Sequence, residues 1–316
     1  MSTCAKVSRD LEEPLAGTAA TARTWLLVEQ PGPWGAKALT SSHLDPALGR
    51  ALEQAAEGTG VRVALIRRPG RHADCHTVAE RQVYAAHTTP GNVWLHKATT
   101  SDPERLLELD FAGLGEGLPG TFDTTLDGAP HTGDPLALVC TNGKRDRCCA
   151  LLGRPLAAEL AASGVDGIWE VTHLGGHRFS PTLLVLPFGY AYGRAEAHAV
   201  KEVLQGVREG RVVTEGCRGS SAWERPGQAA ELAVRTAAHE DAAGALSVVR
   251  TEGSAPRWEV TVAHTDGRHW LVTVAQGAAL PPRPESCGSA LGSPARMDVM
   301  AVRELSRTAV AHPAAH

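Results

Sequence analysis

Between residues 140 and 177 the chain places Cys140 and Cys149 around the eight residues TNGKRDRC, then His173 and His177 around Leu-Gly-Gly. Two thiolates and two imidazoles at such short internal spacings form a four-donor set, and such a set holds either zinc or an iron-sulfur cluster. Convergence of these donors constrains the fold between them: the chain must turn back on itself after Cys140 and return a second time to deliver the histidines. Gly175 and Gly176 suit the second turn, because glycine accepts backbone conformations closed to other residues, and two adjacent glycines favour a loop over a helix.

The flanking residues supply the elements for such a path. LALVC, 136–140, is an apolar strand that ends on Cys140. Residues 148–163 have apolar residues at helical spacing and place Cys149 in a first turn, where free N–H groups and the positive end of the dipole favour a thiolate. GIWEVTH reads as a strand ending at His173, TLLVLPFGYAYGR as a hairpin, and residues 195–208 as an amphipathic helix. The β-α-β-β-α order is that of a thioredoxin-like layer, with both donor pairs where loops leave strands.

Upstream, TWLLVEQ (24–30), the helical pattern over 45–57 and VRVALIRR (61–68) make a small β-α-β unit. RPGRHADCHTVAERQ reads as a surface loop, NVWLHKAT as a strand, RLLELDFAG as a short helix or strand, and the glycine-punctuated stretch 113–135 as a boundary. Downstream, GCRGSSAW reads as a loop and RPGQAAELAVRTAAHE as a helix. Three alternating strands follow, the last two joined by a turn at Thr265–Arg268. Beyond residue 277 the Pro, Gly and Ser content predicts loop and a frayed end. The expected organisation is an α/β chain, α+β overall, with a small N-terminal α/β domain (1–130), a thioredoxin-like domain (131–213) and a C-terminal α+β domain (214–316).

LVCTNGKRDRCCALLGRPLAAEL followed by WEVTHLGGHRFSPTLLVLPFGYAYGR resembles the signature of the sucrase/ferredoxin-like proteins, a group of thioredoxin-like ferredoxins. EPLAGTAATARTWLLVEQPGPWG and GCRGSSAWERPGQAAELAVR resemble the longer bacterial members, so the likeness covers most of residues 10–240. It implies a thioredoxin-like ferredoxin domain whose [2Fe-2S] cluster is bound by Cys140, Cys149, His173 and His177, since the family separates its cysteines by eight residues and its histidines by three. That spacing passes over Cys148, which is read as a spare thiol at the helix start or a substitute for Cys149. Zinc stays open as the alternative cofactor, because the spacing alone tolerates it. The word sucrase implies no glycosidase here, as no carboxylate pair for sugar hydrolysis stands out.

Two functional classes follow. One is a one-electron carrier or redox-enzyme component, rather than a stand-alone enzyme; the other is a zinc-stabilised or thiol-based thioredoxin-like binding or oxidoreductase module. The chain has no C-x-x-C pair for dithiol exchange, which favours the first. No glycine-rich nucleotide loop follows a predicted strand, so a protein or small-molecule donor and acceptor are expected as partners. Lys plus Arg number 31 against 35 for Asp plus Glu, a net charge of -4 that offers no footprint for nucleic acid or anionic membrane. The N-terminal residues lack the apolar core of a secretory signal, no apolar run is long enough to span a bilayer, and an odd count of 7 cysteines fits reduced thiols, so a cytoplasmic location is expected. Of the remaining cysteines, Cys4 is read as exposed and disordered, Cys75 as part of a surface loop with His72 and His76, and Cys217 and Cys287 as unpaired loop thiols.

Overall fold

The computed structural model describes residues 3–70, 79–278 and 280–306. Helix α1, Cys4–Asp10, starts where the Thr3 hydroxyl accepts the Lys6 N–H at 3.2 Å. Strand β1, Thr24–Glu29, leads to helix α2, Pro46–Ala56, whose Asp45 cap accepts the Ala47 and Leu48 N–H groups. Then come β2, Val61–Arg67; β3, Arg81–His87; β4, Trp94–Thr100; the short helices α3, Phe111–Gly115, and α4, Gly120–Leu126; and β5, Ala129–Pro130. The next run is β6, Leu136–Cys140; a wide helical turn at Cys149–Gly153 continuing into α5, Arg154–Ala162; β7, Ile168–Val171; β8, Leu183–Leu186; β9, Tyr190–Tyr192; and α6, Ala197–Arg208. Its order is β-α-β-β-β-α, one strand more than the expected β-α-β-β-α, because the hairpin supplies two strands, β8 and β9. Strand β10, Cys217–Ser220, precedes α7, Arg225–Ala238, and β11, Leu246–Ser254; β12, Arg257–His264; β13, His269–Ala278; β14, Arg283–Pro284; β15, Leu291–Gly292; and β16, Ala295–Leu305, complete the described chain.

Ten strands form one sheet in the order β10-β9-β8-β6-β7-β2-β1-β3-β4-β5. Within it β1 runs parallel to β2 and β6 parallel to β7, each pair spanning an intervening helix as parallel neighbours require. The two halves meet at β2 and β7, which pair antiparallel with Ile66 opposite Val171 and Arg67 opposite Glu170. A second sheet, β11-β12-β13-β16, packs Val260, Val262, Val272 and Val274 against Ala230 and Val234 of α7. The class is therefore α+β.

Alternation along the strands sorts the main sheet's side chains into two faces. Leu26, Val28, Leu65 and Val83 lie under Leu48 and Leu52 of α2, Leu114 of α3 and Phe122 of α4, while Ala137, Val139 and Val185 lie under Leu160 of α5 and Leu204 of α6. The opposite face carries Trp25, Leu27, Ile66, Leu138, Trp169 and Leu184 in one apolar cluster, which also contains Cys140 and Cys149.

Four stretches differ from the sequence expectation. Arg81–His87 forms β3, although Arg81 and Gln82 read as loop. The stretch 113–135 contains α4 and β5: Phe122 and Leu126 are a lone apolar pair among Gly, Thr and Asp, too sparse to signal a helix, yet 0% and 2% exposed. GCRGSSAW is partly β10, whose Arg218 and glycine give no strand pattern, with a bulge between Cys217 and Gly219. The C-terminal sheet has four strands, because β16 pairs with β13; only Met297 of β16 is well buried, so its hydrophobic alternation is weak. Cys75, His72 and His76, and the final residues read as frayed, lie outside the described residues.

The seam between the halves carries a buried ion pair. Arg67, 3% exposed, donates to Glu170 at 2.9 and 2.7 Å and to the Gly32 carbonyl at 2.6 Å, with its guanidinium 4.0 Å from the centre of the Trp34 ring. Glu170 also accepts the Thr141 hydroxyl at 2.8 Å. Removing one partner strands the other without compensation, so Glu170→Ala is expected to cost about 3–5 kcal/mol. The double change Arg67→Met/Glu170→Leu should cost clearly less. Equilibrium urea unfolding checks both; equal losses would show that the charges do not act as a pair.

Candidate metal centre

Cys140 ends β6 at 1% exposure, its N–H donating to Thr182 O at 2.9 Å. Cys149, 0% exposed, opens the wide turn before α5, and a Cβ added at Gly153 on that turn would overlap the Cys140 carbonyl oxygen. Glycine is what lets the turn lie directly on the strand end. His173 stands two residues past β7, and His177 begins a single tight turn, His177–Phe179. Gly175 and Gly176 between them have φ of +79° and +68°, so the tripeptide bends as a loop.

Two guanidiniums hold this loop by its carbonyls. Arg62 of β2 donates to His173 O at 2.7 Å, and Arg218 of β10, 0% exposed, donates to Gly175 O at 3.1 Å. Arg218 also reaches the Thr18 hydroxyl at 3.0 Å and the Thr18 carbonyl. Burial lowers its pKa to about 10, which still leaves it cationic at neutral pH.

The Sγ atoms of Cys140 and Cys149 and an imidazole nitrogen of His173 all lie within 4.8 Å of one another. His177 sits one ring away: its centroid is 5.0 Å from that of His173, and its Nε2 is 3.6 Å from a carboxylate oxygen of Asp146. The Nδ1 atoms of both histidines are buried without a hydrogen-bond partner. Cys140 is held well below the usual thiol range, chiefly because the Cys149 thiol donates to it, with help from His173 and the Leu174 N–H against the cost of burial. Cys149, as that donor, is pushed up. Burial lowers the pKa of His177, with Asp146 opposing. Two buried sulfurs, one of them held below the usual thiol range, and two imidazole nitrogens lacking partners are the donors a metal group needs, so the residues fit one.

Asp146, Arg62 and Arg218 were not legible as site residues. Asp146 hides in the basic loop and Arg218 in a stretch that reads as loop. Lys144, Arg145 and Arg147 are exposed, whereas Arg178 pairs with Glu13 at 2.8 Å. Cys148 points away from Cys149 toward two remote cysteines. Cys4 is among them, which corrects its expected exposure: in α1 it is 2% exposed. The Cys148 pKa is pulled down to about 6, chiefly by the Cys4 thiol donating to it. Cys217 is buried in β10, apart from this group.

The structure is thus an α+β protein whose β6-α5-β7-β8-β9-α6 half brings two cysteines and two histidines together where strands β6 and β7 end and two helical turns begin. The chain matches the sucrase/ferredoxin-like family over residues 15–219 and belongs to it. The matched span runs from just before β1 into β10 and contains all four donors. No curated protein and no solved structure matches the chain.

A Cβ at Gly176 would overlap the Arg218 guanidinium at a positive φ, whereas one at Gly175 would meet only Ala20 Cβ, at 3.9 Å. Gly176→Ala should therefore lose about 1–3 kcal/mol and Gly175→Ala less. Thermal unfolding of the two variants decides it: equal losses would show that Arg218 does not clamp the loop.

Proposed function

We propose that this chain is a [2Fe-2S] redox protein that carries one electron at a time, with Cys140, Cys149, His173 and His177 as the cluster ligands. The observation that carries the reading is the convergence of Cys140, Cys149 and His173 within 4.8 Å, beside two buried imidazole nitrogens without partners. Family membership supports it. When bound, the cluster supplies a single-electron store whose mixed Cys/His ligation leaves it less negative than an all-cysteine cluster, and so easier to reduce.

The chain's own residues set the rest. Cys140 and Cys149 lie in the apolar cluster of the sheet and keep water from the sulfur side, at 1% and 0% exposure. His177, with 17% of its side chain exposed, is closer to solvent, so electrons are exchanged with donor and acceptor, protein or small molecule, on the histidine side. Burial lowers the pKa of Arg62 and Arg218, with Cys140 close enough to oppose it in each, and both guanidiniums favour the reduced, more negative state. Asp146, 4% exposed and facing His177, opposes it. Among the described residues no helix is long and apolar enough to cross a membrane.

The purified protein should be brown, with sulfide-to-iron charge-transfer absorption. Cys140→Ser and Cys149→Ser should bleach it, and Cys148→Ser should not; a colourless protein holding zinc in this site sinks the proposal, and bleaching by Cys148→Ser alone moves the ligand by one residue. Replacing His173 or His177 by Cys adds about one negative charge to the ligand set, so the midpoint potential should fall wherever the cluster survives. An unchanged potential in both variants would show that neither imidazole binds iron.

A further inference from the structure

A second set of thiols lies next to the first. Cys4 in α1, Cys148 before the wide turn and Cys287 in the loop between β14 and β15 come from segments 144 and 139 residues apart. Their sulfurs nevertheless form a closed triangle: Cys4 to Cys148 is 3.4 Å, Cys4 to Cys287 3.5 Å, and Cys148 to Cys287 3.0 Å. Asp146 completes the group, with a carboxylate oxygen within 4.8 Å of all three sulfurs. Its two oxygens accept the Cys148 N–H at 2.8 Å and the Cys287 N–H at 2.9 Å, which fixes the carboxylate against the triangle.

An independent ionic knot brings the same segments together. Glu13, 3% exposed, accepts Arg178 at 2.8 Å and Arg283 at 3.0 Å, tying the chain after α1 to the histidine loop and to β14. Arg194 donates to Glu13 O at 2.7 Å and to Ser8 O at 2.9 Å. Cys4 and Cys287 are thus held over Cys148 by contacts that do not involve sulfur.

We infer that Cys4, Cys148 and Cys287, with the Asp146 carboxylate as fourth ligand, form a zinc site that fastens the N-terminal helix and the C-terminal loop to the Cys140–Cys149 loop. Three thiolates select a soft or borderline cation over magnesium or calcium, and a carboxylate is an ordinary fourth zinc ligand. Around a tetrahedral ion with sulfur at about 2.3 Å, sulfurs stand about 3.8 Å apart, so the triangle needs to open by less than about 1 Å. A disulfide accounts for the group less well, since three thiols leave one over and each separation far exceeds the ~2.05 Å of an S–S bond. Asp146 can ligate while accepting two N–H groups, because a carboxylate has about four lone-pair sites. The site is separate from the proposed cluster, and Cys148 and Cys149, adjacent in sequence, serve different centres.

The test uses the full chain, purified with zinc present. Metal analysis should find one zinc per chain fewer in Cys4→Ala/Cys287→Ala than in the wild type, while Cys217→Ala keeps the wild-type content. The visible spectrum, read separately, reports the Cys140–Cys149 centre, so failure of the cluster proposal leaves this difference intact. In case the double variant folds poorly, alkylation of the zinc-stripped wild type is followed by mass spectrometry as zinc is added back. Modification of Cys4, Cys148 and Cys287 should slow together. Equal zinc in wild type and double variant, alkylation indifferent to zinc, or a disulfide within the trio would each overturn the inference.

Discussion

The pairing of β2 with β7 is the contact on which the rest of the molecule depends, because it turns two β-α-β units into one sheet. Only two residue pairs make it, and one of them is Arg67 opposite Glu170. An isolated charge at so dry a position would be prohibitive, so the seam closes only when both residues arrive together. Glu170 also takes the hydroxyl of Thr141, the residue after Cys140. Arg62, earlier on the same β2 strand, reaches across to the carbonyl of His173. The alignment of the two halves and the positions of the donors therefore share one set of contacts.

Much of this was readable from the sequence where burial is one-sided or continuous. The runs LALVC and TWLLVEQ, the amphipathic 195–208 and the hairpin TLLVLPFGYAYGR all have a single apolar solution, and each forms the expected element. Legibility failed where side chains are buried by charge rather than by apolarity. Arg218 sits fully buried in β10, in a stretch whose composition looks like loop, because its guanidinium is satisfied by carbonyls from the Thr18 and Gly175 segments. Strand β16 failed for the opposite reason: much of its surface is exposed, so selection for alternation is weak.

The Cys/His spacing was legible as a donor set, and the fold brings Cys140, Cys149 and His173 together with His177 alongside. The thiol triangle was not legible, since Cys4 and Cys287 lie near the two ends of the chain and no local spacing relates them. Long-range convergence of this kind is set by packing: here the Glu13 knot ties the chain after α1 to the histidine loop through Arg178 and to β14 through Arg283.

The loop from Thr141 to Arg147 looks like a place where variation is cheap, with Lys144, Arg145 and Arg147 in solvent. Its geometry makes it tolerant at those three positions but rigid in count, with Thr141, Asn142 and Asp146 of the same loop buried. Successive residues on a helical turn point about 100° apart, so Cys148 and Cys149 face different neighbourhoods by virtue of their order alone. Inserting or deleting one residue would present each thiol to the other's surroundings and carry Asp146 out of register with both. A surface segment is thereby held to a fixed length by two sulfur atoms at its end.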